Sequence, residues 1–431
     1  MLQTRGGLFS TLVAQECIEI HGNMVRYSPS RPIFPGDGKV REHPHDRSPW
    51  LILCVILLTT VAASLNQFKV PPILPLLMDA FHMPAGQAGL LMSVFAVTGL
   101  VLALPVGFIS QRLGYRSTGV IAVSCIVIGA ATGALSKDVG TMLGSRFLEG
   151  AGMSLLSIIC PALVALWFTK DRRGKAMGIF ATWVPVGSTI MFLLAPVLAG
   201  RWGWPGVWWF GCFYALLVGL LYVSMVKPAP REFENKNQLA GEDLLKVLRN
   251  RDLWLISFLF CCFNFVFLSF VTWSPTFLFE VHGQSLPHAS FLVSLISLFA
   301  IVSCPLSGWI SDKLGSRKLV CVLPMVGMTF LSPIAFHLSK EMFLPYVIAF
   351  GLISGFAPTG VFAAAAEVVG DERLGGLAMA IIQVGQNAGM LLGPVIFGWM
   401  VESIGGWQAA FWILAPVSAI GAAAGWIASV R

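Results

Sequence analysis

Charge is what this sequence has least of. Of its 431 residues only 11% are Asp, Glu, Lys or Arg, against about a quarter in an ordinary soluble domain. Hydrophobic residues make up 56% and mean hydropathy is +0.78, which excludes a single water-soluble core. One helical crossing of a bilayer takes roughly 20 apolar residues, so the chain holds about a dozen crossings and has no room for a catalytic domain. An enzyme is not expected.

Metal and disulfide patterns are also lacking. The nine cysteines stand singly or as the neighbours Cys261 and Cys262, with no CxxC spacing, and read as small apolar core residues. The seven histidines form no HExxH or His/Cys cluster. No Walker loop is present, so ATP is not the energy source. No cofactor or metal is expected. The formal charge of +7 does not point to nucleic acid, because the basic residues sit in short loops between apolar runs, where they set topology.

What is there is a polar start and twelve apolar segments. Residues 1–48 carry Arg5, Arg26, Arg31, Lys39, Arg41 and Arg47 among Pro, Gly and His. They read as a flexible cytoplasmic tail, with Met24 an alternative start to Met1. The segments run roughly over 50–76, 87–110, 117–136, 140–168, 174–200, 206–227, 253–280, 288–311, 318–338, 343–369, 375–402 and 407–430. The longest polar interruption, 228–252, contains an amphipathic stretch, Glu242 to Leu248, and divides the chain into six-helix bundles at 49–227 and 253–431. If the tail lies inside, only Lys137, Arg201 and Lys340 of the loop basic residues fall outside, so both termini are expected in the cytoplasm and the protein in the cell membrane.

The halves echo each other. GFISQRLGYR, Gly107 to Arg116, matches GWISDKLGSR, Gly308 to Arg317, at an offset of 201 residues, and Pro196 and Pro394 recur at 198. A repeat of six helices in one orientation gives two pseudo-symmetric bundles about a central cleft.

These decapeptides between segments 2 and 3 and between 8 and 9, with RFLEGAG (Arg146 to Gly152) in segment 4, resemble the signatures of the major facilitator superfamily. The resemblance covers Trp50 to the C-terminus. LNQFKVPPILPLL and QAGLLMSVFAVTGLVLALP resemble the branch of cyanate, nitrate and organic-anion permeases. The resemblance implies an all-α polytopic membrane protein of twelve helices, a secondary transporter working as a monomer by alternating access, with a small-molecule substrate, protons and the lipid bilayer as partners. In that family segments 1, 4, 7 and 10 line the cleft. A gating motif follows as Gly107, Arg112, Gly114 and Arg116 in the first half, and Gly308, Asp312, Lys313, Gly315 and Arg317 in the second. Gly107 and Gly308 would allow close helix approach. Asp312 would pair with Lys313 or Arg317 and latch the cytoplasmic helix ends. Gln111 stands where the family has an acid, which weakens the first latch.

Away from the segment ends only three charges lie inside the segments: Lys69, Arg146 and Glu149. A charge at a helix centre costs roughly 2.5–3.5 kcal/mol on insertion scales, so such groups face partners or water. Lys69 lies about 28 Å of helical rise into segment 1 and Arg146 about 9 Å from the outer start of segment 4, at similar depth. Both are expected to share a wetted crevice and hold a small anion. Glu149, three residues after Arg146, pairs with it and is the candidate for proton coupling. The alternatives are snorkelling of Lys69 to headgroups and a purely structural Arg146–Glu149 pair. Asn66 and Asn264, at offset 198, are candidate symmetry-related cleft residues, with plain interhelical hydrogen bonding as the alternative. The rival function is proton-driven export of drugs or amphipathic metabolites. Family antiporters carry a glycine-rich pattern in segment 5 where this chain has Ala195 and Ala199, which argues against it.

Overall fold

The computed structural model describes residues 49–102, 105–168, 170–226, 241–314, 316–370 and 374–430. The expected tail and most of the central loop lie outside the described residues. Arg47–Arg431 is one compact unit. Its helices are α1 (Pro49–Phe68), α2 (Leu74–Phe81), α3 (Ala85–Ala88), α4 (Leu90–Leu102), α5 (Pro105–Ala134), α6 (Val139–Trp167), α7 (Lys170–Phe180) and α8 (Trp183–Met225). Then come α9 (Gly241–Leu248), α10 (Arg251–Glu280), α11 (Leu286–Leu314), α12 (Arg317–Ile334), α13 (Phe343–Ser354), α14 (Phe356–Val369), α15 (Gly375–Ser403) and α16 (Gly406–Ile427). The amphipathic stretch expected in the central loop is α9.

Among the described residues, eleven helical stretches are long and apolar enough to span a bilayer. One of them, Arg172–Met225, has 54 residues, more than twice the ~20 of one crossing. It bends at Trp202 and Gly203, whose φ of 67° suits glycine, and so supplies two crossings and the expected total of twelve. In the first signature loop Gly114, at φ 77°, likewise turns the chain inside α5. Helix starts are fixed locally. Asp138 caps α6 by accepting from Thr141 N at 2.9 Å and the Thr141 hydroxyl at 2.7 Å, and these bonds hold its carboxyl below the usual range. Asn250 caps α10 in the same way, accepting from Leu253 N at 3.1 Å.

In the first set of helices α1 packs on α8, α5 on α6 and α8, and α4 on α6; in the second, α10 packs on α15 and α16, α12 on α16 and α11 on α13. Lipid offers helices no hydrophobic drive to associate, so close approach at small residues does the holding. Gly385, Gly389 and Gly393 of α15 show it: β-carbons there would collide with the carbonyl oxygens of Ser257, Cys261 and Phe265 on α10. Hydrogen bonds among the described residues also join the two sets. Ser93 bonds Met390 O (3.3 Å), Gly86 N donates to Glu402 (3.1 Å), Ser290 bonds Pro72 O (3.4 Å) and Ser188 meets Ser297 (2.9 Å).

Candidate functional site

The site begins with a break in a helix. Pro71 and Pro72 have no N–H, so α1 ends at Phe68 and gives way to a short 3-10 turn, Pro71–Ile73. The carbonyls of its last turn lose their helical donors, which is costly inside a membrane. Arg146 of α6 supplies replacements. Its guanidinium donates to Asn66 O at 2.5 Å and Gln67 O at 3.0 Å, and also to Leu91 O on α4 at 2.9 Å. A planar fork of five donors suits such a task. The remaining bond goes to Glu149 Oε2 at 2.5 Å, and the Phe95 ring lies 4.4 Å from the guanidinium carbon.

Lys69, in the gap between α1 and the 3-10 turn, completes the cluster. Its Nζ lies 2.5 Å from Glu149 Oε1 and 2.9 Å from Asn66 Oδ1, and 4.5 Å from the centre of the Trp208 ring on α8. Asn66 in turn donates to Ala62 O at 2.9 Å and Gly211 O at 3.4 Å. Glycines make the space. A β-carbon at Gly129 would stand 2.8 Å from Glu149 Cγ, and one at Gly211 would collide with Asn66 Oδ1. The result is a compact set of two cations and one carboxylate with none of its surface exposed: Lys69, Arg146 and Glu149 are each 0% accessible.

Lys69, Arg146, Asn66 and Glu149 are therefore together, as their spacing suggested, and Lys69 turns inward instead of snorkelling. The wetted crevice is not found. α1, α4, α6 and α8 close over the cluster and leave its side chains no accessible surface in this conformation. Asn264 does not join it; its Nδ2 donates to Phe260 O of its own helix at 2.8 Å. Sequence reasoning missed Trp208, Phe95, Gly129 and Gly211. It also missed the carbonyls that occupy Arg146, for which the paired prolines were a readable signal.

The gating-motif residues divide. Arg116 donates to Val223 O at the end of α8 (2.9 Å), and Arg112 is exposed. Arg317 bonds Ala363 O at 2.7 Å and pairs with Glu367 at 3.3 Å, tying α12 to α14. Lys313 lies 5.0 Å from the Trp309 ring. Arg116 and Arg317 thus brace helix ends inside their own halves. Gly107 lies in α5, whereas Gly315 and the side chain of Asp312 fall outside the described residues, so the Asp312 pairing stays an expectation. Gly308 corrects another: a β-carbon there would find its nearest atom, Thr359 Cγ2, 3.8 Å away. No close approach depends on that glycine in this conformation.

The family model of the Major Facilitator Superfamily matches residues 56–376 and 324–430, nearly the whole described chain. The chain belongs to the Major Facilitator Superfamily. A hexuronate transporter of Bacillus subtilis is 22% identical over 380 residues, 84% of this chain and 90% of that protein. A probable sulfoacetate transporter of Cupriavidus necator is 22% identical over 406 residues, 87% of this chain and 92% of its own. Mouse protein spinster homolog 3 is 30% identical over 261 residues, where this chain spans about half of the relative, 48%. A crystal structure of a bacterial homolog of the human lysosomal transporter spinster, inward-facing and occupied, superposes with a TM-score of 0.76 at 16% identity, covering 89% of this chain and 97% of that one. This facilitator is thus an all-α, multi-pass membrane transporter of two six-helix sets, a carrier of small molecules and not an enzyme.

Proposed function

We propose that this facilitator is a secondary active carrier of small organic anions, proton-coupled and working by alternating access between its two six-helix bundles. The supporting observation is the make-up of the buried cluster, in which two cations share one carboxylate. Arg146 is committed to three backbone carbonyls, those of Asn66 and Gln67 at the broken end of α1 and that of Leu91. Lys69 holds only the Glu149 carboxylate, the Asn66 amide oxygen and an aromatic face. Lys69 is the cation that changes partner at lower cost. When Glu149 takes a proton, its hold on Lys69 falls away, and an anion replaces it there with Asn66 beside it. Asn264 serves the same anion from the opposite bundle. The net charge of the cluster with proton and anion aboard equals that without either, so the two travel together without placing a second uncompensated charge in the membrane.

Two relatives support the reading through their substrates, since hexuronate and sulfoacetate are both organic anions. The likeness of the segment 1 and 2 text to cyanate and nitrate permeases points the same way. The same reading makes the protein a monomer in the cell membrane, with bundles at 49–227 and 253–431 and with both termini and the central loop in the cytoplasm. The signature loops, Asp312 included, then gate its inner face. The test is uptake of radiolabelled glucuronate and sulfoacetate into proteoliposomes holding the full chain. Acidifying the outside should accelerate uptake, and Lys69→Ala should reduce it 100-fold or more. Uptake indifferent to Lys69→Ala would remove the anion reading.

A further inference from the structure

Two uncharged side chains on α15 stand apart from the charged cluster. Asn387 and Gln383 are one helical turn apart and share a face. That face is turned to the other bundle: the Asn387 amide oxygen packs directly against Gly99 of α4, where a β-carbon would collide with it. Asn387 spends one N–H on Gln383 O at 2.8 Å, leaving its amide oxygen and second N–H without a hydrogen bond among the described residues. The Gln383 side-chain amide has none there either, and both residues are partly exposed. They lie eight and twelve residues into a 29-residue helix, near mid-membrane. An amide facing hydrocarbon with unmet donors and acceptors costs several kcal/mol, so a polar occupant of the space between the bundles is the setting that suits them.

Depth places them with the charged cluster. Gly99 lies four residues, about 6 Å of helical rise, from Phe95, whose ring carries the Arg146 guanidinium. Resting on the anion reading above, we propose that Gln383 and Asn387 are the second half of the substrate site. There they read hydroxyl or carbonyl oxygens on the body of the anion while Lys69 takes its charge. Amides offer both a donor and an acceptor and keep them at every physiological pH, which suits hydroxyl recognition. A site built to bond a substrate hydroxyl strongly rejects the analogue that lacks it, because its own polar groups are then left unpaired. The substrate class becomes the oxygen-rich organic acid rather than the aliphatic carboxylate.

A graded series of four-carbon acids tests this in proteoliposomes of the full chain with an inward proton gradient: butyrate, 3-hydroxybutyrate and 2,3,4-trihydroxybutyrate. Wild type should take them up with kcat/KM rising at least tenfold from first to last. Gln383→Leu and Asn387→Ala should each compress that ratio tenfold, through KM for the hydroxylated acids, which lose far more than butyrate does. Gln383→Asn should recover part of it. A wild-type ratio near one, or a ratio that survives both variants, would overturn the proposal and leave the amides as helix-to-helix contacts. An equal loss of all three activities in either variant, with the protein still folded by thermal shift, would overturn it too, since a discriminating group costs the hydroxylated acids most. Should no acid move in a Lys69-dependent way, the anion reading itself falls, a result distinct from uptake that merely ignores the hydroxyls.

Discussion

Gly129 and Gly144 separate the glycines that matter from those that do not. A β-carbon at Gly129 would stand 2.8 Å from Glu149 Cγ and 2.9 Å from Ser145 O, whereas at Gly144 nothing lies within 4 Å. Gly129→Ala should therefore push Glu149 off Lys69 and destabilise the protein by about 1–3 kcal/mol, the usual effect of overpacking. Gly144→Ala, in the same region, should be neutral or slightly stabilising through helix propensity. Thermal unfolding of the purified variants in one detergent checks both. The pairing of Arg146 with Glu149 was legible because three residues separate neighbours on one helix face. The reach of Lys69 to Trp208 was not, since nothing local to segment 1 says which part of α8 packs on it. Nor was the space at Gly129, because glycine is common in membrane helices whether or not anything leans on it; Gly308 is a glycine on which nothing does.

Helices in this protein are defined by their interruptions. Pro71 and Pro72 end α1, and Arg146 takes over the carbonyls they leave. Arg146→Lys keeps the charge but not the fork that reaches Asn66 O, Gln67 O and Leu91 O together. Replacing both prolines with alanine restores two N–H donors to the chain and lets α1 satisfy its own last turn. The two changes should therefore be coupled: Arg146→Lys should cost less in the Pro71→Ala, Pro72→Ala background than in wild type, by about 1–3 kcal/mol in a double-mutant cycle on thermal stability. Equal costs would mean that the carbonyl bonds contribute little. The prolines were visible in the sequence as bends, but a bend does not announce which side chain compensates it. The α8 bend at Gly203 was legible as a loop between two segments, because Arg201 and the tryptophans around it interrupt the apolar run.

Over the whole molecule, the sequence carried the architecture further than the site. Twelve segments, their division at 228–252 and the repeated decapeptides give two like-oriented sets of six helices, and apolar length alone dictates most of this. What they could not give is how the two sets meet. Contacts such as Ser93 with Met390 and Ser188 with Ser297 join residues more than a hundred positions apart and carry no local pattern. The sealing of Lys69, Arg146 and Glu149 belongs to the same scale, since helices separated in sequence must converge to exclude water. On the proposed function, the cluster sealed in this conformation exchanges its partners in another, with Glu149 taking up a proton as it does so. Glu149→Gln isolates that step, because the amide keeps the shape of the carboxylate while it can neither carry the charge nor take the proton. In proteoliposomes containing the folded variant, glucuronate uptake driven by an inward proton gradient should be lost, while exchange of internal for external labelled glucuronate persists. Gradient-driven uptake at the wild-type rate in Glu149→Gln would contradict the account.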